Sequence, residues 1–226
     1  MLRCRPMHCD GTTVGLPETK CLPNLEGLMT ELLLIRHALP VSGVQAPGLS
    51  EVGVEQARRL GSWLQEEDVD VIVTSPMRRA AETGEILAEQ LGRHVDATID
   101  DLREWDSDLP PETYVAIEEM GPMDPRAMAL AQGRYDDFVP DLDRAAFRAR
   151  VARGLDDIFR RWPVGRVAAV CHGGTLNAAI GGVVGVPTLF WCNPGYTSVS
   201  RLRRLPGGRT VVLSVNETAH LYASRD

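Results

Sequence analysis

Two short, unbroken apolar runs constrain this chain more than any other feature. Residues 32–35 (LLLI) end on Arg36-His37, and residues 167–170 (VAAV) end on Cys171-His172-Gly173-Gly174. An apolar run without polar alternation suits a strand buried on both faces, as at the centre of a mainly parallel sheet. Both runs stop at a histidine, and in open α/β sheets ligands sit at the carboxyl ends of strands.

The intervening segments complete an α/β pattern. Ser50 before Glu51 is a helix start, and the helix runs to about residue 67 with Val54, Ala57, Leu60 and Leu64 on one face. Residues 69–73 read as a second strand, and Thr74-Ser75-Pro76 opens a helix through Leu91. Residues 95–99 read as a third strand, residues 143–162 as an amphipathic helix, and residues 175–184 as another helix. Residues 197–205 and 209–215 flank Pro206-Gly207-Gly208, a hairpin signal. Such alternation predicts a three-layer α/β/α sandwich with a mainly parallel central sheet.

Residues 103–142 break the rhythm, with Pro110, Pro111, Pro122, Pro125 and Pro140 among Met120, Met123 and Met128. They are expected to form a small helical insertion over the site. Residues 1–28 carry no periodicity and are expected to be a disordered extension, leaving 29–226 as one domain.

The formal net charge of −7 excludes a basic nucleic-acid footprint, so any anion site has to be a local cluster of Arg, His and backbone N–H groups. No apolar run reaches the roughly 18 residues of a membrane span, and the N-terminus lacks the apolar core of a signal peptide. The five cysteines have neither disulfide-framework nor zinc spacing, so reduced thiols and a cytoplasmic location are expected.

Phosphoryl transfer to a side chain needs a nucleophile with a lone pair near neutral pH, which His supplies. It needs fixed positive charge around the phosphate oxygens, best given by Arg forks, and an acid for the leaving oxygen. Arg36 and His37 close one strand, and His172 closes another ahead of Gly173 and Gly174, which let N–H groups approach an anion. Arg79 lies about one turn into the second helix, and Glu104 stands where the chain leaves the sheet. No carboxylates are grouped at metal-ligand spacing.

LIRHALP, TSPMRRAAET, LRE and VCHGG, in that order, resemble the histidine phosphatase superfamily, which includes the cofactor-dependent phosphoglycerate mutases. LSEVGVEQA, NPGYTSVSRL and NETAHL are weaker matches, and the resemblance covers about residues 29–221. It implies a phosphoglycerate mutase-like fold and a metal-independent phosphatase without a cofactor, acting on a small phosphorylated substrate. By resemblance His37 is the nucleophile that forms a phosphohistidine. Arg36, Arg79, His172 and Gly173 bind phosphate, His172 also donates to the transferring group, and Glu104 is the proton donor. Asp106, Asp108 and Glu112 stay open as alternative acids.

Family members often carry a hydroxyl residue and a further Asn or Arg after the first motif; here Ala38-Leu39-Pro40-Val41 intervene before Ser42, the candidate replacement. Asn193 and Thr197 are candidate substrate-binding residues by family position, with a turn role open for Asn-Pro-Gly. Trp105, Tyr114, Met120, Met123 and Tyr135 either line a substrate pocket or pack the insertion. Cys171 is expected to pack inward and His220 to be structural. The short connection after His37 favours a hydrolase over a mutase-like isomerase; a non-catalytic phospho-ligand binder is the third reading. Neither nucleic acid nor membrane is an expected partner, and monomer and homodimer both stay open.

Overall fold

Alternation within the first strand splits the molecule into two cores. In the computed structural model, which describes residues 29–108, 120–134, 137 and 141–222, strand β1 (Thr30–Arg36) sends Leu32 and Leu34 to one face and Leu33 and Ile35 to the other. All four are fully buried, as an unbroken apolar run requires. The helices α1 (Glu51–Leu64) and α2 (Arg78–Gln90) cover the Leu33 face through Leu60, Leu64, Ala80 and Leu87. On the Leu32 face lie α4 (Arg144–Arg161) and α5 (Gly173–Val184), through Val151, Leu155, Ile158, Leu176 and Ile180. At about 1.5–3 kcal/mol per large apolar side chain, these two interfaces dominate the stabilisation of the sandwich.

The remaining strands are β2 (Val71–Thr74), β3 (Ala97–Thr98), β4 (Gly165–Cys171), β5 (Val199–Arg204) and β6 (Thr210–Glu217). Their order is β3-β2-β4-β1-β5-β6. The first four run parallel, while β5 is antiparallel to β1 and to β6. The expected sandwich and hairpin are therefore present.

Several boundaries move. The first helix stops at Leu64, and Gly53 and Gly61 join Ala57, Leu60 and Leu64 on its buried face while Val54 stays half-exposed. The third strand shrinks to two edge residues. The second helix begins at Arg78, so Pro76 precedes it and Arg79 is its second residue. Ser75 is spent elsewhere: its N–H donates to Val170 O at 2.9 Å, holding it on the end of β4. The described part of the insertion is a 3-10 turn (Trp105–Asp108) and a short helix α3 (Pro125–Ala131). Residues 1–28 lie outside the described residues. No helix among the described residues is long and apolar enough to cross a membrane.

Candidate functional site

Strand register builds the centre of the site. Parallel pairing sets Arg36 opposite Cys171, so the next residues, His37 and His172, leave neighbouring strands side by side. Their ring centroids lie 5.1 Å apart, and both residues are buried. On the other side of β4, β2 ends at Thr74, which brings the Ser75 hydroxyl to 2.8 Å from His172 Nε2.

The environment of His37 dictates its tautomer. Nδ1 lies 2.8 Å from Ala38 O, and a carbonyl only accepts, so Nδ1 carries the proton. Nε2 is then the lone-pair nitrogen, and it accepts from Arg79 Nε at 3.2 Å. Thr83 fixes the Ala38 peptide: its Oγ1 accepts from Ala38 N at 3.0 Å and donates to Arg79 O at 2.7 Å. Burial, then the charges of Arg79 and Arg36, hold the His37 imidazole well below its ordinary pKa of 6.5. Burial and the same two arginines, with His37 itself, do likewise to His172. Both rings are neutral at physiological pH.

Two guanidinium groups flank the pair. Arg79 is 3 % exposed, and its Nη2 reaches both oxygens of Asp106 at 3.3 Å. Arg36 Nη1 donates to Pro194 O at 2.6 Å, and its guanidinium lies 3.9 Å above the centroid of the Tyr196 ring. Arg36 Nε and His172 Nδ1 are buried without a hydrogen-bond partner among the described residues. Buried polar atoms left open in this way suit a ligand that completes them.

Glu104 enters from the 3-10 turn side. Its Oε2 accepts from Gly174 N at 2.7 Å and its Oε1 from Trp105 N at 3.0 Å. Burial, reinforced by the Asp106 charge, raises its pKa from 4.5 to about 7, against the pull of those N–H groups and of Arg79. Arg150 on α4 anchors this segment by donating to Arg103 O at 2.9 Å and Glu104 O at 3.2 Å. Trp105 packs edge-on against Phe190, so it belongs to the core.

The structure thus gathers Arg36, His37, Arg79, Glu104, His172 and Gly173. Gly174 serves the acid: its N–H goes to Glu104, so it is not an open anion donor. Ser42 and Asn193 are exposed. Thr197 is buried with a left-handed φ of 57°; its N–H donates to Arg36 O at 3.0 Å and its hydroxyl meets His220 Nε2 at 2.9 Å. It supports the strand end of Arg36, and His220, stacked on Trp63, is structural. Of the alternative acids, Asp106 is committed to Arg79, while Glu112 lies outside the described residues. Tyr114 and Tyr135 also lie outside them, and Met123 is exposed. Cys171 is buried in the core, and burial pushes its thiol pKa far up, so it is no thiolate nucleophile. Sequence reasoning missed Tyr196, Thr83 and Arg150. Thr83 has a signal as the last residue of TSPMRRAAET, and Tyr196 a weaker one within NPGYTSVSRL. Among the described residues no three His, Cys, Asp or Glu side chains gather to hold a metal ion.

Comparison with known proteins matches residues 32–218 to the model of the histidine phosphatase superfamily (branch 1). Phosphoserine phosphatase 1 of Hydrogenobacter thermophilus is 30% identical over 209 residues, covering 85% of this chain and 95% of the relative. An uncharacterized phosphatase, PhoE, of Bacillus subtilis is 29% identical over 161 residues, covering 67% of this chain and 76% of the relative. The solved structure of Bacillus stearothermophilus YhfR superposes with a TM-score of 0.68 at 26% identity, covering 85% of this chain and 99% of that one.

Proposed function

The chain belongs to branch 1 of the histidine phosphatase superfamily, and from that premise we propose that it hydrolyses a phosphomonoester, without a metal, through a phosphohistidine on His37. The observation that carries the reading is the tautomer of His37. Its proton is held on Nδ1 by Ala38 O, and the Nε2 lone pair faces Arg79.

In the first half-reaction Nε2 attacks phosphorus and the bond to the leaving oxygen breaks. That oxygen takes the proton of Glu104, whose pKa of about 7 keeps it substantially protonated at neutral pH. Arg36 and Arg79 neutralise the equatorial oxygens as a metal would otherwise do. Donation from Ser75 to His172 Nε2 would leave a proton on Nδ1, the ring atom with no partner among the described residues, free to bond the phosphoryl group. In the second half-reaction the Glu104 carboxylate takes a proton from water, the water oxygen attacks phosphorus, and the N–P bond breaks. His37 recovers its lone pair, and phosphate departs.

The name of the Hydrogenobacter relative makes phosphoserine the first substrate to assay. The test compares wild type and His37→Ala on phosphoserine and an aryl phosphate, with and without chelator. Chelator-insensitive release of phosphate, lost in the variant, is expected, together with acid-labile phosphate trapped on His37 after a rapid quench. Equal rates in the two proteins would sink the assignment. A phosphorylated sugar acid separates the mutase alternative, which returns an isomer where a hydrolase releases phosphate.

A further inference from the structure

Asp106 touches no reacting atom in the scheme above, where its charge only helps to raise the Glu104 pKa, yet it is built into the site. Its side chain is only 6 % exposed, and both of its oxygens lie 3.3 Å from Arg79 Nη2. The turn that carries it is held on two sides: Arg150 binds the carbonyls of Arg103 and Glu104, and Trp105 packs against Phe190. The carboxylate is therefore presented to Arg79 by a rigid turn.

Its place has an electrostatic consequence. Arg36 and Arg79 offer two positive charges to a phosphoryl dianion, with both imidazoles neutral. Burial raises the pKa of Asp106 while the Arg79 charge and hydrogen bond pull it back, and the ionised carboxylate offsets one of those charges before any ligand arrives. The contacts to Arg79 are longer than the roughly 2.7–2.9 Å of a tight charge-assisted pair, so a phosphate oxygen can compete with the carboxylate for Nη2. A pocket carrying both cations uncompensated would grip its product, inorganic phosphate, as firmly as its substrate. Uniform binding of that kind does nothing for turnover.

We propose that Asp106 is an internal counter-ion of Arg79, against which inorganic phosphate competes for the guanidinium, so that the carboxylate sets the affinity of the phosphate site and eases product release. The proposal rests on reading the Arg36–Arg79 pocket as the phosphate site. It differs in sign from a purely structural role. A strut that merely held Arg79 in place would, when removed, weaken phosphate binding; a counter-ion, when removed, strengthens it.

The test is calorimetric titration of inorganic phosphate into the full chain, as wild type, Asp106→Asn and Asp106→Glu, at one fixed pH and ionic strength. Removing one charge a few ångströms from a dianion, at an effective dielectric of about 20, is expected to lower the Kd of Asp106→Asn by about tenfold or more. Asp106→Glu, which keeps the charge, should stay close to wild type. An unchanged or higher Kd in Asp106→Asn overturns the proposal. Should that variant not fold, Asp106→Ser is read by the same sign, and failure of both to fold makes Asp106 a strut and also overturns it. Binding needs no turnover, so the two readings fail separately. Tighter phosphate binding in Asp106→Asn, with no hydrolysis by wild type, would remove the hydrolase reading and leave the counter-ion standing.

Discussion

The N–H of Gly174 donates to Glu104 Oε2 at 2.7 Å across 70 residues of sequence, and a methyl group on Gly174 would lie 2.4 Å from Oε1 of the same carboxylate. Glycine is required there by space and not by backbone conformation, since its φ lies outside the left-handed region that other residues avoid. The clash falls on the Glu104 carboxylate and on the Trp105 ring, whose Cδ1 would lie 2.7 Å from the added carbon, so Gly174→Ala should displace the acid at some cost in stability. We expect a lowered melting temperature and, in the folded fraction, a fall of about 10²- to 10⁴-fold in kcat on an alkyl phosphate, the usual worth of a general acid. Unchanged kcat in the folded variant would remove Glu104 from the reaction.

The pH profile follows from the same carboxyl. With a pKa of about 7, Glu104 loses the proton it must donate as pH rises through neutrality, so kcat/KM on an alkyl phosphate should fall above about pH 7. On the acid side His37 stays neutral until well below 6.5, so protonation of the nucleophile should not cut the rate in mildly acidic buffer. An aryl phosphate, whose leaving group needs no proton, should show a weaker alkaline limb and a smaller loss in Glu104→Gln. An equal loss on both substrates would contradict the proton-donor role.

Stability should carry the same signature. A carboxyl whose pKa rises from 4.5 unfolded to about 7 folded binds its proton more tightly in the native state. Its contribution is fully present below about pH 4.5 and is lost as pH rises through about 7, to the extent of about 3 kcal/mol. Unfolding free energies measured between those pH values should fall more steeply for wild type than for Glu104→Gln. The absolute stability of the variant is a poorer guide, because a Gln amide cannot accept from both Gly174 and Trp105 and leaves one N–H open, at about 1–3 kcal/mol. Parallel pH dependences in the two proteins would mean that the carboxyl is not perturbed.

What the sequence disclosed of the site was what strand ends and a compact motif can disclose. His37 and His172 were visible because each terminates an apolar run, and β1–β4 register then set them side by side. Ser75 reads as part of a helix start because local helix signals cannot show that β4 lies beside it and that its hydroxyl meets His172. The pairing of Asp106 with Arg79 and the reach of Arg150 to the Glu104 carbonyl join elements far apart in the chain, where periodicity carries no information. Ser42 and Asn193 stand on exposed loops, where composition carries no information about contacts.

Tyr196 offers the clearest test of a contact the sequence concealed. Its ring lies beneath the Arg36 guanidinium at 3.9 Å and beside the His37 ring at 5.6 Å between centroids. Arg36 Nη1 is anchored to Pro194 O, so the main chain just before Tyr196 and the ring itself together orient one cation of the pocket. A cation–π contact of this kind is worth about 0.5–2 kcal/mol, the larger figure applying where water is excluded. Tyr196→Leu keeps apolar bulk and removes the quadrupole, so KM should rise by about twofold to thirtyfold with a smaller change in kcat. Tyr196→Phe keeps the ring face and should retain most of the affinity. If Tyr196→Phe loses as much as Tyr196→Leu, the hydroxyl rather than the ring face is what matters, and the shelf beneath Arg36 is not the source of the effect.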